Sequence, residues 1–413
     1  MSTYVDATAE SVAYCQQMAE AIPDLAEPYL NQLQAYLTQK LWHQLTLLLL
    51  DFYNNTQKNN QKFQDSNTFL GIYQQVVLKV RSKLNELAVA RMASAVAFAC
   101  LENDPDAAKA LLQDKDFTSS SGSQMYTQLY VTSRLTLLEL SSSSSATSPD
   151  SLASCYARIQ ENAKRLAELP HEDASTSIML VNQAHYQASM TYYKQVGPPE
   201  AFYEQAILYL NYYESKSTKQ EEEEALAVDI CLAALVGDGV YNLGQVVTNP
   251  VLLKLKGSTQ NKWLLELLHG MWAGNVPAYR TLVQQTYANE IQATPTLANA
   301  LQALEEKMTL CALLQMVFDT PSAERTLSFA DIAGRLEIAL DQVEWVVMRA
   351  FSVGLLKGSI NQVAQEVHIS WMLPRVLDAA QMTELAQRFE QWATTVQTTQ
   401  STIQDQHPAL LMA

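Results

Sequence analysis

The sequence predicts a mainly α protein: an N-terminal α-solenoid of helix pairs, then a winged helix, then a C-terminal helix. Three observations carry this expectation. Glycine is scarce, 12 in 413 residues, and ten of the twelve lie after Lys194, while Leu, Ala and Gln lose little freedom in a helix. Apolar residues recur at steps of three and four, between short breaks, from the start to about Asp319. Near the end stands GLLKGSINQVAQEVHISW, residues 354–371, with the alternation of a β-hairpin.

The arm is expected to occupy residues 1–319. Leu30, Leu33, Leu37 and Leu41 form one helical stripe, and Ile207, Leu210 and Tyr213 another. LTLLLL at 45–50 is too short to span a bilayer and reads as the buried face of a helix. Breaks fall at Pro23, Asn54–Asn60, Asn103–Pro105, Ser119–Ser123, Ser141–Pro149, Gly197–Pro199, Asn249–Pro250 and Gly274–Pro277. That spacing suits stacked helix pairs, although no consensus repeat can be quoted. SSSSSATSP at 141–149 reads as a flexible surface loop, with a modification site as the less favoured reading.

A winged helix is expected over 320–374. Ser328 can cap SFADIAGRL with its hydroxyl, and Asp341 is expected to cap DQVEWVVMRAFSVG, which Gly354 can close. Leu355–Ile360 and Glu366–Trp371 read as two strands. Leu327, Ile332, Leu336, Val343, Val347, Phe351 and Leu355 would form the core.

The last segment, 375–413, carries a helix. Met382, Leu385, Phe389, Trp392 and Val396 fall at steps of three, four, three and four, an a/d seam. Such a seam needs cover, either from its own domain or from helices of other chains; the sequence leaves both open.

Charge and composition exclude several functions. The net charge of −16 repels phosphate. Between Leu327 and Trp371 stand five acids, Asp331, Glu337, Asp341, Glu344 and Glu366, against three bases, Arg335, Arg349 and Lys357. A DNA-reading winged helix carries basic side chains on its second helix. Here that helix is acidic, so the domain reads as one used for protein contacts. Five cysteines, odd in number and far apart, fit reduced thiols in cytoplasm or nucleus. MSTYVDATAE is acidic and has no signal-peptide core.

No constellation for catalysis stands out. The six histidines, His43, His171, His185, His269, His368 and His407, make no pair at metal-ligand spacing. There is no P-loop and no G-x-S-x-G elbow. GDGVYNLG at 237–244 reads as a tight helix–helix turn. EEEE at 221–224 could grip a cation or a basic partner, but more simply is a solvated helix start favoured by the helix dipole. Trp42 and Trp263 read as core residues. Catalytic residues, cofactor and metal are all expected to be none.

The stretch LSFADIAGRLEIALDQVEWVVMRAFSVGLLKGSINQV resembles the PCI module, shared by the proteasome lid, the COP9 signalosome and a translation initiation factor. The matches lie at Ile332-Ala333, Val343-Glu344 and Gly354 through Ile360. KLWHQLTLLLLDF at 40–52, YYKQVGPPEAFYEQAILYL at 192–210, GDGVYNLGQVVTNPVL at 237–252 and VHISWMLPRVLD at 367–378 are similar to the lid branch of that family, across nearly the whole chain. Two features depart from the pattern: Asn361 stands where the family often has Asp, and the serine tracts look particular to this sequence.

The resemblance implies a non-catalytic scaffold. Winged helices of neighbouring lid PCI subunits would join through their sheets, here through Lys357, Ser359, Ile360, Val367, His368 and Ile369. Met382, Leu385, Phe389, Trp392 and Val396 would enter a shared helical bundle, through which the lid's deubiquitinase metalloprotease dimer is attached. The arm would lie near the ubiquitin receptor with a von Willebrand A domain. No nucleic acid, membrane or cofactor is implied. The rival readings are the same architecture in a sister complex, the signalosome or the initiation factor, and a winged-helix nucleic-acid binder.

Overall fold

A computed structural model describes residues 3–22, 29–58, 66–101, 103–113, 117, 125–142, 149–169, 176–213, 220–258, 260–321, 325–377 and 379–406. Pro23, the tract 119–123, most of the 141–149 tract, His171 and His407 lie outside them. The chain divides into two compact units, Met1–Ala225 and Leu226–Ala413.

The first unit holds α1 (Thr3–Ala21), α2 (Asn31–Gln39), α3 (Trp42–Lys58), α4 (Ser66–Ile72), α5 (Glu86–Cys100), α6 (Pro105–Leu112), α7 (Met125–Ser142), α8 (Pro149–Ala167), α9 (Thr176–Val196) and α10 (Pro199–Asn211). Each packs chiefly on elements close in sequence: α1 on α2, α2 on α3, α3 on α5, α5 on α6 and α7, and α9 on α7, α8 and α10. Near-neighbour packing is the property that defines a solenoid. The core stripe is as read at Leu30, Leu33 and Leu37, whereas Leu41 lies at the surface. In LTLLLL, Leu45 and Leu49 are buried and Leu47 is exposed. Trp42 and Trp263, expected in the core, are only half-buried.

Helix α5, ELAVARMASAVAFAC, shows why the unit packs closely. Alanines let neighbours approach on several sides, and ten of its residues from Leu87 to Cys100 are buried. Asn85 caps it, its Oδ1 accepting from Leu87 N at 2.9 Å. Arg134 of α7 donates to Ser94 Oγ of α5 at 2.8 Å and to Gln187 Oε1 of α9 at 2.9 Å, tying three helices. His185 of α9 is buried, and its Nδ1 has no hydrogen-bond partner among the described residues.

Helix α11 (Gln220–Val236) contains the point of division between the units. Its acidic start is only partly solvated as expected: Glu221 and Glu222 are exposed, but Glu223 is buried and accepts from Tyr213 Oη at 2.7 Å. The tyrosine hydroxyl stands in for the water that a carboxylate otherwise requires.

The second unit continues with α12 (Gly244–Val247), α13 (Pro250–Leu253), α14 (Lys262–Ala273), α15 (Val276–Thr281), α16 (Ala288–Ala293), α17 (Pro295–Asn299) and α18 (Leu301–Asp319). There follow β1 (Thr326–Ser328), α19 (Phe329–Leu336), α20 (Leu340–Ser352), β2 (Leu356–Asn361), β3 (Glu366–Met372) and α21 (Ala379–Gln406). Helix α18 is the hub, touching α14, α15, α19, α20 and β3. It buries Leu304, Met308, Leu310, Leu313, Leu314 and Val317. From it the buried Lys307 donates to Ala234 O, Leu235 O and Gly237 O at 2.7, 3.1 and 2.8 Å. These carbonyls end α11 and have no partners within the helix. An ammonium is suited to that negative end. Burial pulls its pKa down to about 8, which leaves it charged at neutral pH.

The winged helix departs from the expectation in four respects. A third strand, β1, completes the sheet in the order β1-β3-β2, all antiparallel. The strands β2 and β3 run one residue later at their C-terminal ends than expected. Asp341 does not cap α20: Ala339 holds the cap position without a side-chain bond, and Asp341 sits in the first turn, where a carboxylate suits the dipole. Phe351 is half-buried, and Ala350 occupies the core position. The other six expected core residues are buried. Ser328 caps α19 as expected, accepting from Asp331 N at 3.1 Å. Gly354, at φ +78°, closes α20: its own N–H bonds Phe351 O, and that of Leu355 bonds Ala350 O, both at 3.0 Å. That is the paired bonding of a Schellman motif.

Two predictions follow from the buried polar groups. Burial holds His185 neutral, with its pKa lowered from 6.5 to about 4. The unfolded chain takes up this proton near pH 6.5, and the native state only near pH 4. Stability is therefore lost as the pH falls through that window, by about 2 kcal/mol between pH 7 and 5 for this group. His185→Leu is expected to lose less than the parent over that interval in denaturant titrations. Lys307→Met leaves three carbonyls without their shared donor and is expected to cost about 3 kcal/mol, read as a lowered thermal midpoint.

Candidate protein-interaction surface

The hairpin owes its shape to local chemistry. Asn361 Oδ1 accepts from Ala364 N at 3.1 Å, so the turn has its side-chain bond with Asn at this position. Register shifts between Lys357, opposite Trp371, and Gly358, opposite Ile369, which leaves Ser370 as the extra residue of a bulge. The Ser370 hydroxyl donates to Lys357 O at 3.1 Å. Glycine is required at 358, because a Cβ there would lie 2.1 Å from His368 O.

The sequence-expected contact residues separate into two groups. Lys357 and Ser359 are exposed on β2, whose outer edge pairs with no strand among the described residues, and Ile360 beside them is half-buried. The Lys357 ammonium lies 4.9 Å from the centre of the Trp371 ring. Val367, His368 and Ile369 lie on the central strand β3. Val367 and Ile369 are buried and hold the sheet to its own helices, so neither offers a surface in this chain. His368 is exposed, with Nδ1 3.2 Å from Thr326 Oγ1.

The five apolar residues read as a seam all lie on one helix, α21. Met382, Leu385, Phe389, Trp392 and Val396 are all exposed, with Phe389 at 59 % and Trp392 at 66 %, and Ile403 extends the row. Among the described residues nothing covers the seam, which is open along a 28-residue helix.

The base of that helix is fixed by residues the sequence reading passed over. Arg375 donates through Nη2 to Trp272 O at 2.9 Å and through Nη1 to Gln315, joining α14 and α18. A Cβ at Gly244 would lie 2.8 Å from Val376 Cβ, so glycine is needed where α12 meets the segment between β3 and α21. Two stretches quoted for their similarity, 237–252 and 367–378, thus touch each other. Arg375 and Gly244 stood inside those motifs, but nothing in their spacing announced the contact. The five cysteines are free and buried. Among the described residues, no three His, Cys, Asp or Glu side chains gather as metal ligands. No described helix is long and apolar enough to cross a membrane.

Comparison with known proteins bears on the whole chain. Residues 29–268 match the family model of the PSD13 N-terminal repeats, and residues 284–371 match the PCI domain. The chain is 28 % identical over 402 residues to the 26S proteasome non-ATPase regulatory subunit 13 of Dictyostelium discoideum, covering 97 % of this chain and 98 % of that one. It is 29 % identical over 382 residues to the 26S proteasome regulatory subunit RPN9 of Saccharomyces cerevisiae, covering 90 % and 91 %. Similarity to the eukaryotic translation initiation factor 3 subunit M of Neosartorya fischeri is 28 % over 225 residues, 54 % of this chain and 45 % of that one. With its helical repeats and its PCI domain both matched in chain order, and the repeats alone spanning more than half its length, the chain belongs to the PSD13 family of PCI-domain proteins.

Proposed function

We propose that the chain is a non-catalytic scaffold subunit of the lid of the 26S proteasome regulatory particle, where it supports assembly and so ubiquitin-dependent protein degradation. The observation that carries this reading is the open seam of α21. Magnitudes separate its role from that of the hairpin. Burying one large apolar side chain contributes about 1.5–3 kcal/mol. The five residues are each roughly half exposed, so covering them offers roughly 5 kcal/mol before ordering costs. A strand-edge hydrogen bond nets about 1 kcal/mol, but it is directional. The seam therefore supplies affinity and the β2 edge supplies orientation, in a place where an unpaired edge would otherwise be a liability.

In this reading Lys357, Ser359 and Ile360 face a neighbouring lid PCI subunit, and His368 flanks them. The α21 seam enters a helical bundle that also joins the lid's deubiquitinase metalloprotease dimer. The arm lies near the ubiquitin receptor carrying a von Willebrand A domain. The chain works in cytoplasm and nucleus, and the boundaries 1–319, 320–374 and 375–413 describe the arm, winged helix and bundle helix. The similarity to the initiation-factor subunit covers 54 % of this chain, whereas the two proteasome relatives cover 97 % and 90 % of it, which favours the lid over a sister complex.

Replacing Leu385 and Phe389 with Asp is expected to abolish entry into the lid while the helical content of the isolated chain stays unchanged. Affinity purification of the tagged variant with quantitative mass spectrometry reads this, and normal recovery of lid subunits would sink the proposal. Gly358→Val is expected to break the β2–β3 pairing at His368. Hydrogen exchange would then lose protection at the paired amides of residues 366–372, and lid incorporation would fall while α21 remains helical. Unchanged exchange would show that the close approach at Gly358 is dispensable.

A further inference from the structure

A groove of about 750 Å³ runs along one side of the second unit, where α15 and α18 meet the loop before α20 and the first turns of that helix. Glu305 and Glu306 form one wall, and Asp341 and Trp345 the other. All four are exposed, Trp345 at 73 %. Arg280, the base at the rim, is already engaged, with Nη1 donating to Glu337 Oε2 at 2.7 Å. No ion pair is formed by Glu305, Glu306 or Asp341 among the described residues. Tyr279, also lining the groove, is 97 % buried, and its hydroxyl has no hydrogen-bond partner among the described residues.

Three uncommitted carboxylates and an uncovered indole form a set that favours a cation on an apolar stem, over a floor where the buried Tyr279 hydroxyl still lacks a partner among the described residues. An indole face attracts an ammonium or guanidinium. Carboxylates accept from it. We infer that this groove is a docking site for a basic segment of a neighbouring protein in the assembly, one that places a Lys or Arg side chain between Trp345 and Glu305. This rests on the assembly reading above for the partner's presence, and on charge complementarity for its chemistry. It also gives a use to the acidic second helix of the winged helix: the face that would repel nucleic acid is the face that attracts this segment.

The test uses the full tagged chain in the assembled particle. A photo-reactive p-benzoylphenylalanine is placed at Gln342, which lines the groove. A second version carries the same group at Phe389 to report on assembly. The expected result is a cross-link from position 342 to one neighbouring polypeptide, within a segment that holds Lys or Arg beside apolar residues. The E305R/D341R double variant should lower that yield at least about ten-fold, corresponding to about 1.4 kcal/mol, while the Phe389 cross-link persists. A neutral or acidic cross-linked segment, a cross-link to a second copy of this chain, or a yield indifferent to charge reversal would overturn the inference, as would silence at 342 with a working cross-link at 389. Silence at both positions would instead overturn the assembly reading, and this inference with it.

Discussion

The burial of α18 is the constraint on which the second unit depends. One helix touches the elements that precede it and the winged helix that follows it, and its apolar residues face inward from Leu304 to Val317. Its single buried cation, Lys307, uses its three protons to end α11. A helix so surrounded cannot shift without opening several interfaces at once, because packed interiors tolerate little displacement. The sheet and the exit of α21 therefore inherit a fixed base.

That base is what lets weak groups act as a surface. An unpaired strand edge offers only modest net free energy, and a solvated apolar seam on a loose tail would lose much of its gain to ordering. Arg375, held by Trp272 O and Gln315, and Val376, seated against Gly244, anchor the chain just before α21 begins. The edge at β2 and the seam at Met382–Val396 are both carried by the one unit. Functional residues here are ordinary ones, made useful by where a rigid core places them.

Much of this was legible in the sequence because it rests on periodicity and local chemistry. The stripe Leu30–Leu37, the cap at Ser328, the closure at Gly354 and the a/d seam of α21 each follow from spacing or from one residue's stereochemistry. The features missed depend on pairing across long separations. Strand β1 is three residues long, too short to show alternation, and exists because Leu327 meets Val367. Lys307 reads as one more surface lysine on a helix until its carbonyl partners, some 70 residues earlier, are known. Asp341 resembled a cap, but α20 begins one residue before it. Val367 and Ile369 belong to a matched motif, yet burial assigns them to packing rather than contact.

The central claim is that the α21 seam is open in the free chain and covered in the assembly. Hydrogen exchange across residues 382–396, compared between the isolated chain and the purified particle, tests it directly. Amides frayed by solvent in the free helix are expected to become strongly protected in the particle, together with those of β2. Equal exchange in the two states, with the chain demonstrably incorporated, would contradict it and would move the assembly contact to another face of the molecule.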